Sequence, residues 1–439
     1  MPRSLLRTLV RTLPALALTI VHCDSGMTQT PTEDMAKPAC ATLDPALPWY
    51  GTNRDRLNAL MQSHGSCSAA YDGKGRPVAL FDWDNTVVKN DVGDATFFHM
   101  LAHDLVLQPP NKNWRLTSRY ITTDATMALD AACGSLAAAG AALPTSTNMA
   151  CGKEILTIYT DGKTTTGKAA FSGWDYRRME PSYAWAAQLL SGYSKAQVQA
   201  FVTTAKTENL GNPIDSKQTL GGVQVTAWVR VYEPMKNLIR TLQDNGFDVW
   251  VVSASPQPVV EVWATEVGIA ADHVIGIRNS ESGGTYGYDL QGCGDVSPGS
   301  NDGAGNVTGN SLITYIDGKR CWINKIIYGD STPAALQRTA DVRKRQVFAA
   351  GDSDTDLTFM QDASALKLVL NRNKKELMCN AYGNAGGTWI VNPMFIQPRA
   401  QQMTPYPCSS TACKDSTGAS VPCRDENGAQ IADQTDRVF

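Results

Sequence analysis

The sequence predicts an α/β protein, a central parallel sheet interrupted by a large, mainly helical insertion. Short apolar runs near 78–82, 247–252, 273–277 and 346–350 alternate with helix-like segments, the pattern of parallel strands joined by crossovers. Several of these runs end in acids or small hydroxyl residues, which is where an open α/β sheet presents its chemistry. The stretch from 90 to 231 is far too long for a crossover connection and must be a separate unit.

Length and charge narrow the class. The 439 residues exceed one typical domain, and the net charge of −3 comes without a basic tract. Nothing therefore points to nucleic acid as a partner.

Residues 1–23 read as an export leader. Arg3, Arg7 and Arg11 precede an apolar run at 13–21 that is too short to span a bilayer. Cys23 follows at the place of a bacterial lipoprotein cysteine, although His22 departs from the small residue usual before it. The expectation is an exported bacterial protein: periplasmic, an envelope lipoprotein, or secreted. A lipid on Cys23 is its one expected route to a membrane.

Of eleven cysteines, ten remain without Cys23, an even number that suits an oxidising compartment. Proximity alone pairs Cys40 with Cys67, Cys133 with Cys151, Cys293 with Cys321, Cys379 with Cys408, and Cys413 with Cys423. Connectivity does not follow from sequence. Zinc is the competing use, but no CxxC pair or nearby histidine cluster supports it.

Taken in order, 24–75 is an N-terminal segment with a helix near 53–66. The core comprises 76–90 and 232–398, with the insertion at 91–231 as a cap whose clearest helices are 174–190 and 195–207. A helix at 234–242 has Pro234 in its first turn and ends at Asn245-Gly246. A second helix follows at 258–267. Residues 279–312 are dense in Gly, Ser, Asn and Asp and read as loop with hairpin strands; the spacing of Asp295, Asn301 and Asp302 fits no calcium loop. A helix around 324–327 precedes the strand at 346–350, and the sheet closes near 366–370 and 389–391. Residues 399–439 form a cysteine-stapled tail.

Four features recur at predicted strand ends. They are Asp82-Trp83-Asp84-Asn85-Thr86, Ser253 in Val251-Val252-Ser253-Ala254-Ser255, Lys325 before the next strand, and Asp352 with Asp356 in Gly351-Asp352-Ser353-Asp354-Thr355-Asp356. Alone, each has an ordinary explanation: Ser253 as a helix cap, Lys325 as a surface lysine, Asp352 and Asp356 as helix-capping acids. Together they supply a carboxylate pair for nucleophilic and acid–base work, hard oxygen ligands for magnesium, and a hydroxyl and ammonium for a phosphoryl group.

In this order the four motifs resemble those of the haloacid dehalogenase (HAD) superfamily of phosphatases. Over roughly 76–398 the chain is similar to the phosphoserine phosphatase-like branch, and within it to the bacterial phosphorylcholine phosphatases. The finer likeness rests on Phe171-Ser172-Gly173-Trp174-Asp175-Tyr176-Arg177-Arg178-Met179-Glu180, Tyr183-Ala184-Trp185, Ser191-Gly192-Tyr193, the segment from Asn245 to Ala254, and Asn371-Arg372.

The resemblance implies a Rossmann-like HAD core. It implies Asp82 as the nucleophile and Asp84 as the proton donor and later general base. Ser253 and Lys325 would hold phosphoryl oxygens, and Mg²⁺ would be bound by Asp82, the Asp84 carbonyl and Asp352, with Asp356 steadying them. Charge on a transferring phosphoryl group needs such a cation, lysine and oriented donors. An acid two residues after the nucleophile argues for ester chemistry, since a halide leaving group needs no proton.

The expected substrate is a small phosphate ester. By the same resemblance Trp174, Asp175 and Tyr176 would receive a cationic leaving group such as choline, an aromatic face and a carboxylate both attracting it. Arg177-Arg178 departs from that pattern, and Trp83 is expected to narrow the mouth. A phosphotransferase on the same core and a non-catalytic envelope binding protein are the alternative readings.

Overall fold

Residues 37–293 and 312–439 are described by a computed structural model, in which 38–439 pack together as one unit. The leader with Cys23, and the loop positions Asp295, Asn301 and Asp302, lie outside the described residues.

Six parallel strands form the central sheet: β1 (Val78–Phe81), β2 (Asp248–Pro256), β3 (Val274–Ile277), β4 (Phe348–Gly351), β5 (Leu366–Asn371) and β6 (Trp389–Pro393). Their order across the sheet is β6-β5-β4-β1-β2-β3. Successive strands step one way from β1 through β3 and the other way from β4 through β6, so the chain reverses its direction of travel between β1 and β4. The crevice at such a reversal is where α/β sheets bind ligands.

Every residue of β1 is buried, as a strand covered on both faces requires. Alternation assigns the faces. Ala79 and Phe81 enter one apolar cluster together with the insertion's helices, while Val78 and Leu80 enter another with Trp322, Phe359 and Met360.

The insertion leaves and returns through a ribbon of two short strands, Val88–Lys89 and Arg230–Val231, paired antiparallel. Within it, Cys133–Cys151 joins helices Thr123–Cys133 and Met149–Asp161. The long predicted helix at 174–190 is only Pro181–Gln188. Pro181 occupies its first turn and the Glu180 side chain caps it, so the chain before them is irregular.

All five cysteine pairs expected by proximity are present as disulfides, with Cα separations of 5.2, 4.9, 6.2, 5.6 and 5.1 Å. Cys379–Cys408 ties the tail to helix Lys375–Gly383, and Cys413–Cys423 closes its small hairpin. In 279–293 the expected hairpin is Asn279–Ser282 with Thr285–Leu290. No helix of the described residues is long and apolar enough to cross a membrane.

Candidate active site

The strand register assembles the site. Phe81 at the end of β1 lies beside Ala350 of β4 and Val251 of β2. Asp82 is the next residue out on β1, Asp352 and Ser253 lie two beyond Ala350 and Val251, and the Asp82 amide donates to Ala350 O at 2.9 Å. Gly351 is required beneath them: a Cβ there would meet Asp356 Cβ and Met360 Sδ at 2.7 Å each.

Asp82, Asp352 and Asp356 are buried, and an oxygen from each lies within 4.8 Å of the others. The Lys319 ammonium, wholly enclosed, reaches Asp82 Oδ1 and Asp356 Oδ1 at 2.7 Å each. Burial alone pulls the Lys319 pKa down, but Asp356 and Asp82 outweigh it and hold the group above the ordinary lysine value. Asp82 is pushed up to about 6, chiefly by burial, with Lys319 opposing and Asp352 adding to the rise.

Asp352 gives its other oxygen to Arg372 Nη1 at 2.6 Å, and burial raises its pKa against that partner. Asp356 Oδ2 accepts the backbone N–H groups of Asp352 and Ser353, each at 3.0 Å, which orients the loop after β4.

Thr86 supplies the test for a metal. Its hydroxyl lies 2.9 Å from Asp82 Oδ2 and 3.0 Å from Asp352 Oδ1. A hydroxyl has one proton, so it satisfies only one of those oxygens at a time. Even with Asp84 protonated, the three carboxylates Asp82, Asp352 and Asp356 face two cations, Lys319 and Arg372, leaving an excess of one negative charge. Asp82 and Asp352 thus fit a hard divalent cation such as Mg²⁺.

Asp84 stands on the other side of the crevice. Its Oδ1 accepts the Val92 amide at 2.7 Å; its Oδ2 accepts the Ser255 hydroxyl at 2.8 Å and the Ser253 hydroxyl at 3.3 Å. Burial, then the charges of Asp91 and Asp82, push its pKa well above the usual carboxylate range. The loop that carries it turns through Asn85 and Asn90, at φ 63° and 72°, a conformation asparagine tolerates.

Lys325 does not join this group. The helix expected near 324–327 begins earlier, spanning Asp317–Ile326, so Lys319 lies in its first turn. Six residues on, Lys325 has turned about 240° around the axis. Its ammonium donates to Gly292 O at 3.0 Å and lies 4.6 Å from the Trp322 ring centre. Two lysines six residues apart in a poorly marked helix gave the sequence no basis to choose; the acid Asp317 was the available start signal.

Above the carboxylates is a cleft of about 170 Å³. Tyr159, Tyr176, Tyr183 and Tyr315 line it, with Asp91 and Asp354. Of the three cap residues expected at the substrate, Tyr176 lines this cleft and Trp174 an adjoining cavity. Asp175 lines neither: its side chain accepts the Arg177 amide at 2.9 Å and pairs with Arg178 at 3.6 Å. Trp83 does not narrow the mouth, because it is wholly buried in the core. Arg177 also turns away, pairing with Glu376 at 2.8 Å and Asp317 at 3.3 Å and donating to Lys414 O.

Residues 165–361 match the family model described as haloacid dehalogenase-like hydrolase. Over those residues the chain is similar to HAD-type hydrolases. The matched segment holds Ser253, Lys319, Asp352 and Asp356, while Asp82 and Asp84 precede it and meet the HAD residues through the sheet register. No curated protein matches the chain.

Among solved structures, a conserved protein of unknown function from Anaerococcus prevotii DSM 20548 shares the fold at 20% identity and a TM-score of 0.57, covering 80% of this chain and 94% of that one. A protein of unknown function from Bordetella pertussis Tohama I is 14% identical with a TM-score of 0.39, covering 73% and 100%. A substrate-bound phosphoserine phosphatase is 13% identical with a TM-score of 0.30, covering 68% and 87%. The Rossmann-like HAD sheet expected from the motifs is the fold observed.

Proposed function

We propose that this chain is an exported, Mg²⁺-dependent phosphomonoesterase that works through an aspartyl-phosphate. The observation that carries this reading is the division between its first two acids. Asp82 is gripped by Lys319 at the strand end, while Asp84, two residues on, sits in surroundings that favour its protonated form. A pair with such different partners, a lysine on one and hydroxyls and an amide on the other, suits nucleophile and general acid.

Asp82 attacks phosphorus as Asp84 gives its proton to the leaving alkoxide. Asp84, now ionised, then takes a proton from the water that attacks the phosphorus of the aspartyl-phosphate, freeing Asp82. Lys319 and the Ser253 hydroxyl are the local donors for phosphoryl oxygens. A magnesium ion held by Asp82 and Asp352 would neutralise charge on the phosphoryl group. Asp356 anchors Lys319 and the loop bearing Asp352.

For the leaving group, four tyrosines with Asp91 and Asp354, beside Arg372 and Lys374, offer aromatic faces and carboxylates to a small alcohol that carries an amine, of which choline is one. The five disulfides accord with export.

The experiment is phosphate release from phosphorylcholine, phosphoethanolamine, phosphoserine and glycerol phosphates, with and without chelator, in wild type and Asp82→Asn. Activity lost in the variant and on chelation is expected. Undiminished hydrolysis in Asp82→Asn would exclude the covalent route.

A further inference from the structure

Beside the catalytic cleft lies a second cavity of about 690 Å³. The two share Asp91, Tyr159, Tyr183 and Arg372 in their walls. The second cavity adds Lys89, Arg399, Trp174 and Trp228. Lys89 comes from the ribbon at the root of the insertion and is only 6% exposed. Its one hydrogen-bond contact among the described residues is Met394 Sδ at 4.0 Å.

A buried ammonium ordinarily has an anion beside it, because leaving water unpaired costs several kcal/mol. Here the nearby charges make matters worse. Lys89 is pushed down to about 8, first by burial and then by Arg399 and Arg372. The acids acting on it, Asp215 and Asp352, are engaged by Gln397 at 2.7 Å and by Arg372 at 2.6 Å.

The cavity also has acidic walls, Asp91, Asp94, Asp161 and Glu180, three of which accept hydrogen bonds from neutral donors. Asp91 accepts the Asp94 amide at 2.9 Å, Asp94 accepts the Tyr159 hydroxyl at 2.7 Å, and Glu180 accepts the Ser182 hydroxyl at 3.0 Å. Arg399 is exposed and forms no hydrogen bond or ion pair among the described residues. Among the described residues, Lys89 and Arg399 are the cations of this cavity that have no ion-pair partner.

We propose that Lys89, Arg399 and Arg372 form an anion-binding compartment, open to the catalytic cleft, that takes a carboxylate or phosphate group. Resting on the phosphatase reading, its occupant is either a second acidic group on the ester's leaving portion or free inorganic phosphate. The chemistry is common to both: an oxyanion replaces water around three cations, and the guanidinium groups fork onto it.

The test begins with binding alone. Metal-free Asp82→Asn protein is titrated with inorganic phosphate by calorimetry, and the fluorescence of Trp174 and Trp228 is followed in parallel. Saturable binding is expected, weakened at least tenfold by Lys89→Met and by Arg399→Gln but not by the remote Lys325→Met. Arg399 is exposed, so its variant will fold even if the Lys89 variant does not. No binding, or binding indifferent to both variants, overturns the compartment.

A second arm compares hydrolysis of two phosphate esters of matched length, one bearing a carboxylate. If the compartment serves the substrate, Lys89→Met and Arg399→Gln raise KM for the acidic ester at least tenfold more than for the neutral one. An equal effect on both, with phosphate titration still dependent on Lys89, assigns the compartment to free phosphate. Failure of the phosphatase reading is seen separately, as wild-type protein that hydrolyses neither ester while the titration still saturates.

Discussion

The Lys319 ammonium lies 2.7 Å from Asp82 Oδ1, with the lysine side chain wholly enclosed and that of the aspartate 7% exposed. An ion pair this dry has no solvent to replace a lost partner.

Lys319→Met therefore leaves Asp82 and Asp356 buried without their cation. Stability falls by about 3–5 kcal/mol, and activity by roughly 10²–10³-fold or more. Lys325→Met, which loses only a contact to Gly292 O and the Trp322 face, changes activity less than about twofold. Urea denaturation and steady-state kinetics on the two variants measure the contrast.

The acids predict the pH profile. Asp82 acts ionised, so kcat/KM falls on the acid side, at or below the value of about 6 that it has without metal; a bound cation moves that limb lower. Asp84 acts protonated, so activity falls again as pH rises through its elevated pKa. Asp84→Asn removes the alkaline limb and costs roughly 10²–10⁴-fold on alkyl esters. Aryl phosphates, whose leaving group needs little protonation, suffer less.

Stability without metal has its own pH dependence. Asp82 titrates near 6 in the folded chain against 3.8 as its ordinary value. Between those values the folded state holds more protons than the unfolded one, so raising the pH through that window destabilises the metal-free protein. Two pKa units correspond to about 3 kcal/mol. Magnesium competes with those protons, so it should raise Tm more at pH 7 than at pH 5. Thermal melts with and without the ion at both values decide.

Arg177 joins the insertion to two core segments and the tail through Asp317, Glu376 and Lys414 O. Glu376 is nearly sealed from water, so Arg177→Ala strands a buried carboxylate and costs about 3–5 kcal/mol. Adding Glu376→Gln to that variant recovers part of the loss. Equilibrium unfolding of the single and double variants measures it.

Much of this was legible in the chain. The apolar run at 78–81 could only be a covered strand, and Asp82 and Asp84 followed it where a turn had to begin. Asp352 and Asp356 were visible for the same reason after β4. Cysteine pairs close in sequence found one another because their loops are short. Lys319 was missed because the helix was placed too late, at 324–327, past its acidic start at Asp317. Asp175 was misplaced because a motif gives neighbours but not direction, and its carboxylate turns back on its own loop. Lys89 left no trace in sequence, since its significance is the lack of a partner in three dimensions.

Val88 faces Val231, and Lys89 faces Arg230, where residues 90–229 depart and return. The roof of the enzyme is therefore a loop with a closed base, and excising it leaves two adjacent ends that a tight turn can bridge. Recombination at that junction exchanges one roof for another, each newcomer having to restore the amide that Val92 donates to Asp84, so selectivity can evolve, or be engineered, over a chemistry anchored mainly in the sheet.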